Sequence, residues 1–566
     1  MVKIFDFNLL EFVDSTNDTL ISIKKSIKEK YKFDMILDID KLNFFLQKNI
    51  KDLDTLINSC AYKIPGTDGV RSIAITKSEN DNFLKSFLKN KELTPNFVKH
   101  YTSAFLKMIP EDTSEIAIGE DGRELLNNNN IKVAVEEALI EANITTIDLQ
   151  IIPTPLLVAY SLEKRIPAIM ITASHNPPEY NGIKLFIDGK KLYPFSKLGE
   201  YQLTYNFFTT KEKQIKNFDN QISKTCFPLS IFDKIFSGIN FELVKKTLNN
   251  TPLYLDLANG AFSKIAQKYL GNQGIRTVSL ACDLGLKNIN KNSGVALLED
   301  LPFSVNESQI PTIKRLLENG KKFEKNLYAL VCDGDGDRAF ILKYNNKTQN
   351  VTVFNGDILG YIIAKNLHNP ARKGLFCLTI ESDFALSSII RDQLGWSTRV
   401  VGVGDRWLVN SISDDCMFVG CERSGHVIVK NESFNPPLLS GNGLLTGLLA
   451  LQFNIESYEV GYNKKITSFN FPLEDFYNGS STWEKINNKI LDFKQFNFEA
   501  FKIEYEYNVL SFKITDKDNK EIGLIYVRKS GTEPKISISI STLKKYEDTA
   551  DSLINTLKKE INYSDM

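Results

Sequence analysis

At 566 residues the chain is too long for a single core. Its 42% hydrophobic and 24% charged residues are those of an ordinary globular protein and exclude a disordered or fibrous one. Lys plus Arg and Asp plus Glu both total 69, so the formal net charge is zero, which argues against a general nucleic-acid binder but allows a local basic pocket. Cys60, Cys226, Cys282, Cys332, Cys377, Cys416 and Cys421 are odd in number and lack Cys-x-x-Cys spacing, no apolar run approaches the roughly 18 residues that span a membrane, and the start MVKIFDFNLLEFVD lacks a signal-peptide layout, so a reducing, cytoplasmic setting without membrane contact is expected.

In chain order, residues 1–60 place Leu42, Phe45, Leu46 and Ile50 at helical spacing, and helices are predicted over 19–30 and 40–58. Such an extension serves packing or self-association. Strands are predicted at 115–119, 147–152 and 168–172, with an amphipathic helix at 131–143 and an Asn-rich loop at 127–130. A strand at 253–257 turns at Asn259-Gly260 into a helix at 262–270. Strand, helix and strand follow at 375–380, 385–394 and 398–403. This repeated alternation implies parallel α/β sheets. The last hundred residues differ: strands at 501–507, 509–514, 522–527 and 536–541 and a helix at 546–561 describe an α+β domain.

Four loops between these elements carry chemistry. After the strand at 168–172 comes Ala173-Ser174-His175-Asn176-Pro177-Pro178. The prolines stop any helix and expose Ser174 at the carboxyl end of a strand, where α/β folds bind ligands. A serine hydroxyl needs a base or a metal, and His175 and Lys184 are nearby. Asp333-Gly334-Asp335-Gly336-Asp337-Arg338 follows an apolar run. Three alternating carboxylates repel one another unless a hard cation binds them, and Arg338 can pair with a phosphate. Glu422-Arg423-Ser424-Gly425-His426 places Glu422 and Ser424 on one side of an extended loop, suited to sugar hydroxyls. Arg528-Lys529-Ser530-Gly531-Thr532 combines cations, hydroxyls and backbone N–H groups, as a phosphate nest requires. Two further glycine turns deliver Arg71 (Gly66-Thr67-Asp68-Gly69-Val70-Arg71) and Asp405-Arg406 (after Gly402-Val403-Gly404).

Taken in order, GTDGVR, TASHNPPEYNGIK, DGDGDR, ERSGH and VRKSGTEP resemble the signature loops of the α-D-phosphohexomutases over residues 61–560. The resemblance implies three related mixed-sheet α/β domains and a C-terminal α+β domain around a central cleft. The expected division is an extension at 1–60, a phosphoserine domain at 61–235, a metal-loop domain at 236–345, a sugar-binding domain at 346–465 and a phosphate-binding domain at 466–566. It implies that Ser174 carries the phosphoryl group and joins Asp333, Asp335 and Asp337 around Mg²⁺. Arg71, His175, Lys184 and Arg338 become the catalytic set. Glu422, Ser424, His426, Asp405, Arg406, Arg528, Ser530, Gly531 and Thr532 become the substrate-binding set. The implied reaction interconverts hexose 1- and 6-phosphates through a bisphosphate, with a hexose 1,6-bisphosphate as activator.

The serine loop resembles the phosphomannomutase/phosphoglucomutase branch and leans the reading towards mannose and glucose phosphates. GTDGVR and VRKSGTEP also recur in phosphoglucosamine mutases, the alternative sugar assignment. Cys421 and Asn442 depart from the residues usual at their positions beside the sugar loop. A metal-dependent sugar-phosphate phosphatase and a non-catalytic sugar-phosphate sensor are the alternatives of other classes. The partners expected are phosphorylated hexoses, with the chain a monomer or dimer.

Overall fold

The computed structural model describes residues 18–563, apart from 49–51, 67, 77–82, 127–129, 211–221, 285–287, 411, 413–414, 454, 456–457, 469–475, 504–507 and 530–535. It is a multi-domain α/β fold built on several mixed sheets. Its contacts divide the chain into two compact units. One holds Ile64–His368 and Met417–Glu456; the other holds Met1–Lys63, Asn369–Cys416 and Ser457–Met566. No helix among the described residues is long and apolar enough to cross a membrane. The seven cysteines are free thiols, six of them buried.

In the first unit, one sheet runs in the order Glu92–Leu93, Val70–Ala74, Tyr180–Ile187, Ala168–Ile171, Glu115–Glu120, Thr145–Ile151, Ile222–Lys224, and Lys190–Lys191 pairs with Tyr180–Ile187. The strands Ala168–Ile171, Glu115–Glu120 and Thr145–Ile151 are parallel, and Tyr180–Ile187 returns antiparallel. All four residues of Ala168–Ile171 are buried, which explains its unbroken apolar run, since a parallel strand is covered on both faces. The chain leaves this strand directly into Ser174.

A second sheet orders Thr277–Ala281, Leu253–Asp256, Leu327–Cys332, Ala339–Asn345, Asn350–Phe354 and Ser304–Val305. Leu327–Cys332 and Ala339–Asn345 form an antiparallel hairpin from Leu327↔Tyr344 to Cys332↔Ala339, so the aspartate loop is its connection. Helix Pro311–Phe323 starts on a proline, whose missing N–H costs nothing there, and buries Ile313, Leu316 and Leu317. A separate hairpin, Met417–Cys421 with Val427–Val429, carries Glu422–His426 at its turn.

Asp256 ties this unit's loops together. It accepts hydrogen bonds from Ala258 N (3.2 Å), Gly294 N (3.0 Å) and Thr312 Oγ1 (2.5 Å). Burial pushes its carboxyl up from 3.8 to about 6, and the hydrogen bonds only partly offset this. The folded state therefore holds the proton more tightly than the unfolded chain. The associated stability, on the order of 3 kcal/mol for about two units, is fully present below about pH 4 and is lost as pH rises through about 6. Asp256→Asn keeps the acceptor for both backbone N–H groups and should remove this component. Thermal unfolding from pH 4 to 7 should show a smaller loss of Tm in the variant; parallel curves would refute it.

In the second unit, Gly374–Thr379 and Ser397–Val401 are parallel strands joined by helix Phe384–Leu394. An antiparallel sheet orders Tyr462–Ser468, Ile536–Thr542, Glu521–Lys529, Val509–Thr515 and Asn497–Ala500. Its core, including Phe476, Trp483, Ile486, Ile525, Ile538 and Leu553, lies under helices Ser481–Leu491 and Glu547–Tyr563. The strand expected at 501–507 is instead Asn497–Ala500, and 504–507 lie outside the described residues. Tyr462–Ser468 was not foreseen: it contributes a strand at the sheet's edge, where the apolar alternation is weak.

The N-terminal extension belongs to this same unit. Its helices are Asp18–Tyr31, Ile39–Gln47 and Leu53–Cys60. The single helix expected at 40–58 is two, because Asp52 accepts from Thr55 N and caps a new start. Residues 1–17 and 49–51 lie outside the described residues. Phe45 packs on Tyr477 with ring centroids 4.6 Å apart, and Asn508 Nδ2 donates to Ser59 Oγ at 3.2 Å.

Candidate active site

The first unit brings Ser174 onto the aspartate loop. Ser174, expected to be exposed at its strand end, is instead fully buried, because the aspartate loop meets it there: its Oγ donates to Asp333 Oδ2 at 2.7 Å. Its φ is +51°, a left-handed conformation that costs a non-glycine residue about 1–2 kcal/mol. Thr172 Oγ1 accepts from Ser174 N at 2.8 Å and donates to Asp121 Oδ2 at 2.5 Å. Gly334 permits the approach of the two loops, since a Cβ there would sit 2.9 Å from Ser174 O.

Asp333, Asp335 and Asp337 are all buried, and one carboxylate oxygen from each lies within 4.8 Å of the others. Lys184 Nζ donates to Asp335 Oδ2 (2.6 Å) and Asp337 Oδ2 (2.8 Å) and pairs with Asp68 Oδ2 (2.9 Å). Thr154 Oγ1 donates to Asp335 Oδ2 at 2.6 Å, while Asp335 Oδ1 is buried without a hydrogen-bond partner. Burial, then the Asp337 and Asp335 charges, push Asp333 well above the usual carboxylate range. Burial also works against ionisation of Asp337, but Lys184 and His426 outweigh it and hold that carboxyl well below its ordinary value. Lys184 is buried too, yet Asp335, Asp337 and Asp68 keep its ammonium well above its usual range. Three converging carboxylates, with Asp335 Oδ1 left without a hydrogen bond, suit a divalent cation.

Around this centre Arg338 donates to Glu299 Oε1 at 3.1 Å and lies 3.8 Å from Asp333 Oδ2. His175 is half-buried, and its Nδ1 has no hydrogen-bond partner. The Arg338 charge, burial and Arg71 push the imidazole down to about 2, so it is neutral. Arg71 stands on strand Val70–Ala74 and pairs with Asp68. Lys191 Nζ joins the same carboxylate at 2.5 Å, so Asp68 gathers three cations. His426 bridges Glu422 Oε2 (Nδ1, 2.6 Å) and Asp337 Oδ1 (Nε2, 3.1 Å), which links the turn at 422–426 to the aspartate loop. Ser424 is half-buried on the same turn.

The remaining expected residues belong to the second unit. Arg528 lies 3.9 Å from Glu381, which also takes Lys465 (2.9 Å) and Tyr526 OH (2.7 Å). Asp405 and Arg406 are buried at the start of helix Asp405–Val409, with the Arg406 guanidinium 4.9 Å from the Trp407 ring centre. Ser530, Gly531 and Thr532, like Thr67 and Asn127–Asn129, lie outside the described residues. The two departures near the sugar loop face inward: Cys421 Sγ contacts Asp357 Oδ1 at 3.7 Å, and Asn442 Oδ1 caps helix Gly443–Gln452 through Leu445 N at 3.0 Å.

Sequence reading missed Asp68, Lys191, Asp121, Arg123, Thr154 and Thr172. The signal available for Asp121 and Arg123 was an acidic–basic glycine turn, Asp121-Gly122-Arg123, at the carboxyl end of a parallel strand. Nothing local distinguishes Thr154 or Lys191.

Residues 62–197 match the family model of phosphoglucomutase/phosphomannomutase α/β/α domain I, and residues 355–461 match that of domain III. A phosphoglucosamine mutase of Yersinia enterocolitica is 27% identical over 88% of this chain and 97% of its own length. One from Thermosipho africanus is 26% identical over 87% and 98%. Among solved structures, a phosphoglucomutase/phosphomannomutase family protein from Burkholderia thailandensis aligns with a TM-score of 0.62 at 16% identity, covering 87% of this chain and 97% of that one. Parafusin from Paramecium, a phosphoglucomutase in its open form, aligns at 0.61 with 17% identity over 88% and 94%.

Proposed function

This chain belongs to the α-D-phosphohexomutase family of isomerase-type phosphotransferases, and on that premise we propose that it interconverts hexose 1-phosphates and 6-phosphates through phosphorylated Ser174. The observation that carries the reading is the hydrogen bond from Ser174 Oγ to Asp333, across 159 residues of sequence.

Asp333, Asp335 and Asp337, with the phosphorylated Ser174, would hold Mg²⁺, which when bound neutralises charge on the phosphoryl group. The chain's own residues do the rest. Lys184, kept protonated by its carboxylates, acts as a fixed positive charge rather than a base. Arg338 and Arg71 add positive charge around His175, which is itself neutral and offers a hydrogen-bonding nitrogen. Ser174 gives its phosphoryl group to the free hydroxyl of a bound hexose monophosphate. The sugar oxygen loses its proton, and Ser174 Oγ recovers one. The resulting bisphosphate reverses and returns its other phosphate to Ser174. A hexose 1,6-bisphosphate would therefore activate unphosphorylated protein. Glu422, held by His426, and Ser424 are assigned to the sugar hydroxyls.

For the sugar, the serine loop supports mannose and glucose phosphates. The names of the full-length relatives favour a second reading, glucosamine phosphate. A coupled assay with mannose, glucose and glucosamine 1-phosphates separates the two. Phosphate release without a 6-phosphate product would replace both with a phosphatase.

Arg528, beside Glu381, is assigned with Asp405, Arg406, Ser530, Gly531 and Thr532 to the substrate, and Arg528 to the phosphate that is not reacting. Binding energy from a remote phosphate orients the sugar. Arg528→Ala should raise KM about tenfold or more for the 1- and 6-phosphate alike, because one anchor must serve both orientations. Titration of both isomers checks this, and a defect confined to one isomer would contradict the shared anchor.

A further inference from the structure

We infer that Arg123 is a positioning residue: with Asn290 it clamps the backbone of Ser174 and holds the nucleophile in the conformation that aims Oγ at the aspartate loop. This rests on the phosphoserine reading above and goes beyond it, because Arg123 touches no reacting atom.

Arg123 is 0% exposed, and so is Asp121 beside it. Burying a guanidinium is costly unless it is paired and hydrogen-bonded. Its Nε donates to both Asp121 oxygens at 3.1 and 2.8 Å. Nη1 donates to Pro177 O (3.2 Å) and Tyr180 O (2.7 Å), and Nη2 to Ser174 O (2.9 Å). All three carbonyls belong to the serine loop and its exit into the next strand. Asn290 Nδ2 donates to Ser174 O as well, at 2.6 Å, and to Asn176 O at 2.8 Å. On the other side, Ser174 N donates to Thr172 Oγ1, which donates to Asp121. Both backbone polar groups of Ser174 thus end on the Asp121–Arg123 pair, one of them through Thr172.

This arrangement explains the positive φ of Ser174. A strained backbone persists only where its surroundings over-determine it. The clamp reaches the sheet only at Tyr180, the first residue of its strand; the pairing beyond it is made by the strands themselves, with Thr172 N donating to Gly182 O and Met170 paired with Lys184. A planar fork reaching several carbonyls is not reproduced by a lysine, whose donors radiate from one point. Loosening the clamp should therefore let Ser174 relax away from the aspartates without unfolding the domain.

The test compares full-length wild type with Arg123→Lys and Asn290→Gly. Glycine is chosen because Asn290 has a φ of +56°, which glycine adopts freely. The measurements are kcat and KM for glucose 1-phosphate, the rate at which Ser174 takes phosphate from glucose 1,6-bisphosphate by intact mass, and thermal unfolding. Arg123→Lys should lower kcat about 100-fold, with KM within about threefold of wild type, and slow phosphate uptake by a similar factor. Asn290→Gly should lower kcat by roughly tenfold with unchanged unfolding. The inference is overturned if a folded Arg123→Lys keeps kcat within about threefold, or if its loss vanishes once rates are scaled to the folded fraction. If Arg123→Lys does not fold, Asn290→Gly decides by the same criteria. A wild-type chain that takes up no phosphate removes the mutase reading and this inference together. A wild-type chain that does, beside variants equally fast, removes the inference alone.

Discussion

Replacing Ser174 with alanine should abolish turnover, by at least about a thousandfold, while the protein stays folded. The substitution removes one hydroxyl and its hydrogen bond to Asp333, and no apolar contact. The backbone bonds from Thr172, Arg123 and Asn290 remain available to hold the loop. Alanine pays much the same cost for the positive φ as serine, so stability should change by less than about 1 kcal/mol. Intact mass after exposure to a hexose 1,6-bisphosphate should show one phosphate on wild type and none on the variant. A variant that turned over at near wild-type rates would sink the phosphoserine mechanism, since no other serine stands on the loop 172–178.

The second large effect is expected at the aspartates. Asp335→Ala should weaken Mg²⁺ binding by at least about 100-fold and lose most activity with it. Asp335 supplies one of three converging carboxylates, and its Oδ1 is buried without a hydrogen-bond partner. Its loss also takes from Lys184 and Thr154 a shared acceptor, leaving Lys184 with Asp337 and Asp68. Two measurements separate metal loss from general damage. Added Mg²⁺ should raise the thermal midpoint of wild type, as any ligand that binds only the folded state does, and should leave that of the variant unmoved. Chelator-treated wild type should lose activity and regain it with Mg²⁺. Full activity after chelation would leave the three aspartates needing another explanation, with Lys184, Arg338 and His426 as the cationic groups beside them.

Both predictions depend on residues that stand out in the amino-acid sequence. Ser174 follows a strand whose four residues are all apolar, and two prolines forbid a helix after it. The alternating aspartates and glycines cannot pack unpaired, so their chemistry is written in three adjacent dipeptides. Much of the strand and helix order was legible for the same reason: hydrophobic periodicity and turn chemistry act over a few residues. Where those signals thin, the reading failed. Tyr462–Ser468 lies at a sheet edge and lacks strong alternation, and the break at Asp52 is a single side-chain cap inside a continuous apolar pattern.

The sequence by itself therefore determined which groups the protein possesses for its chemistry: one serine on a loop after an apolar strand, a triad of carboxylates, and glycine turns carrying arginines. Only the tertiary structure decided what those groups face. Ser174 meets Asp333 across 159 residues because two separate sheets present their loops to each other, with Gly334 leaving room between them. Asp68 gathers Arg71, Lys184 and Lys191 because antiparallel pairing sets Arg71 opposite Gly182 and Lys191 opposite Phe186, on either side of Lys184. Arg123 follows a glycine turn at a strand end, which tells nothing of its partners, and folding buries it completely. The physical reason is common to all three. A charge finds its partner through strand order and burial, which are properties of the whole chain, whereas periodicity and turn type are properties of a short window.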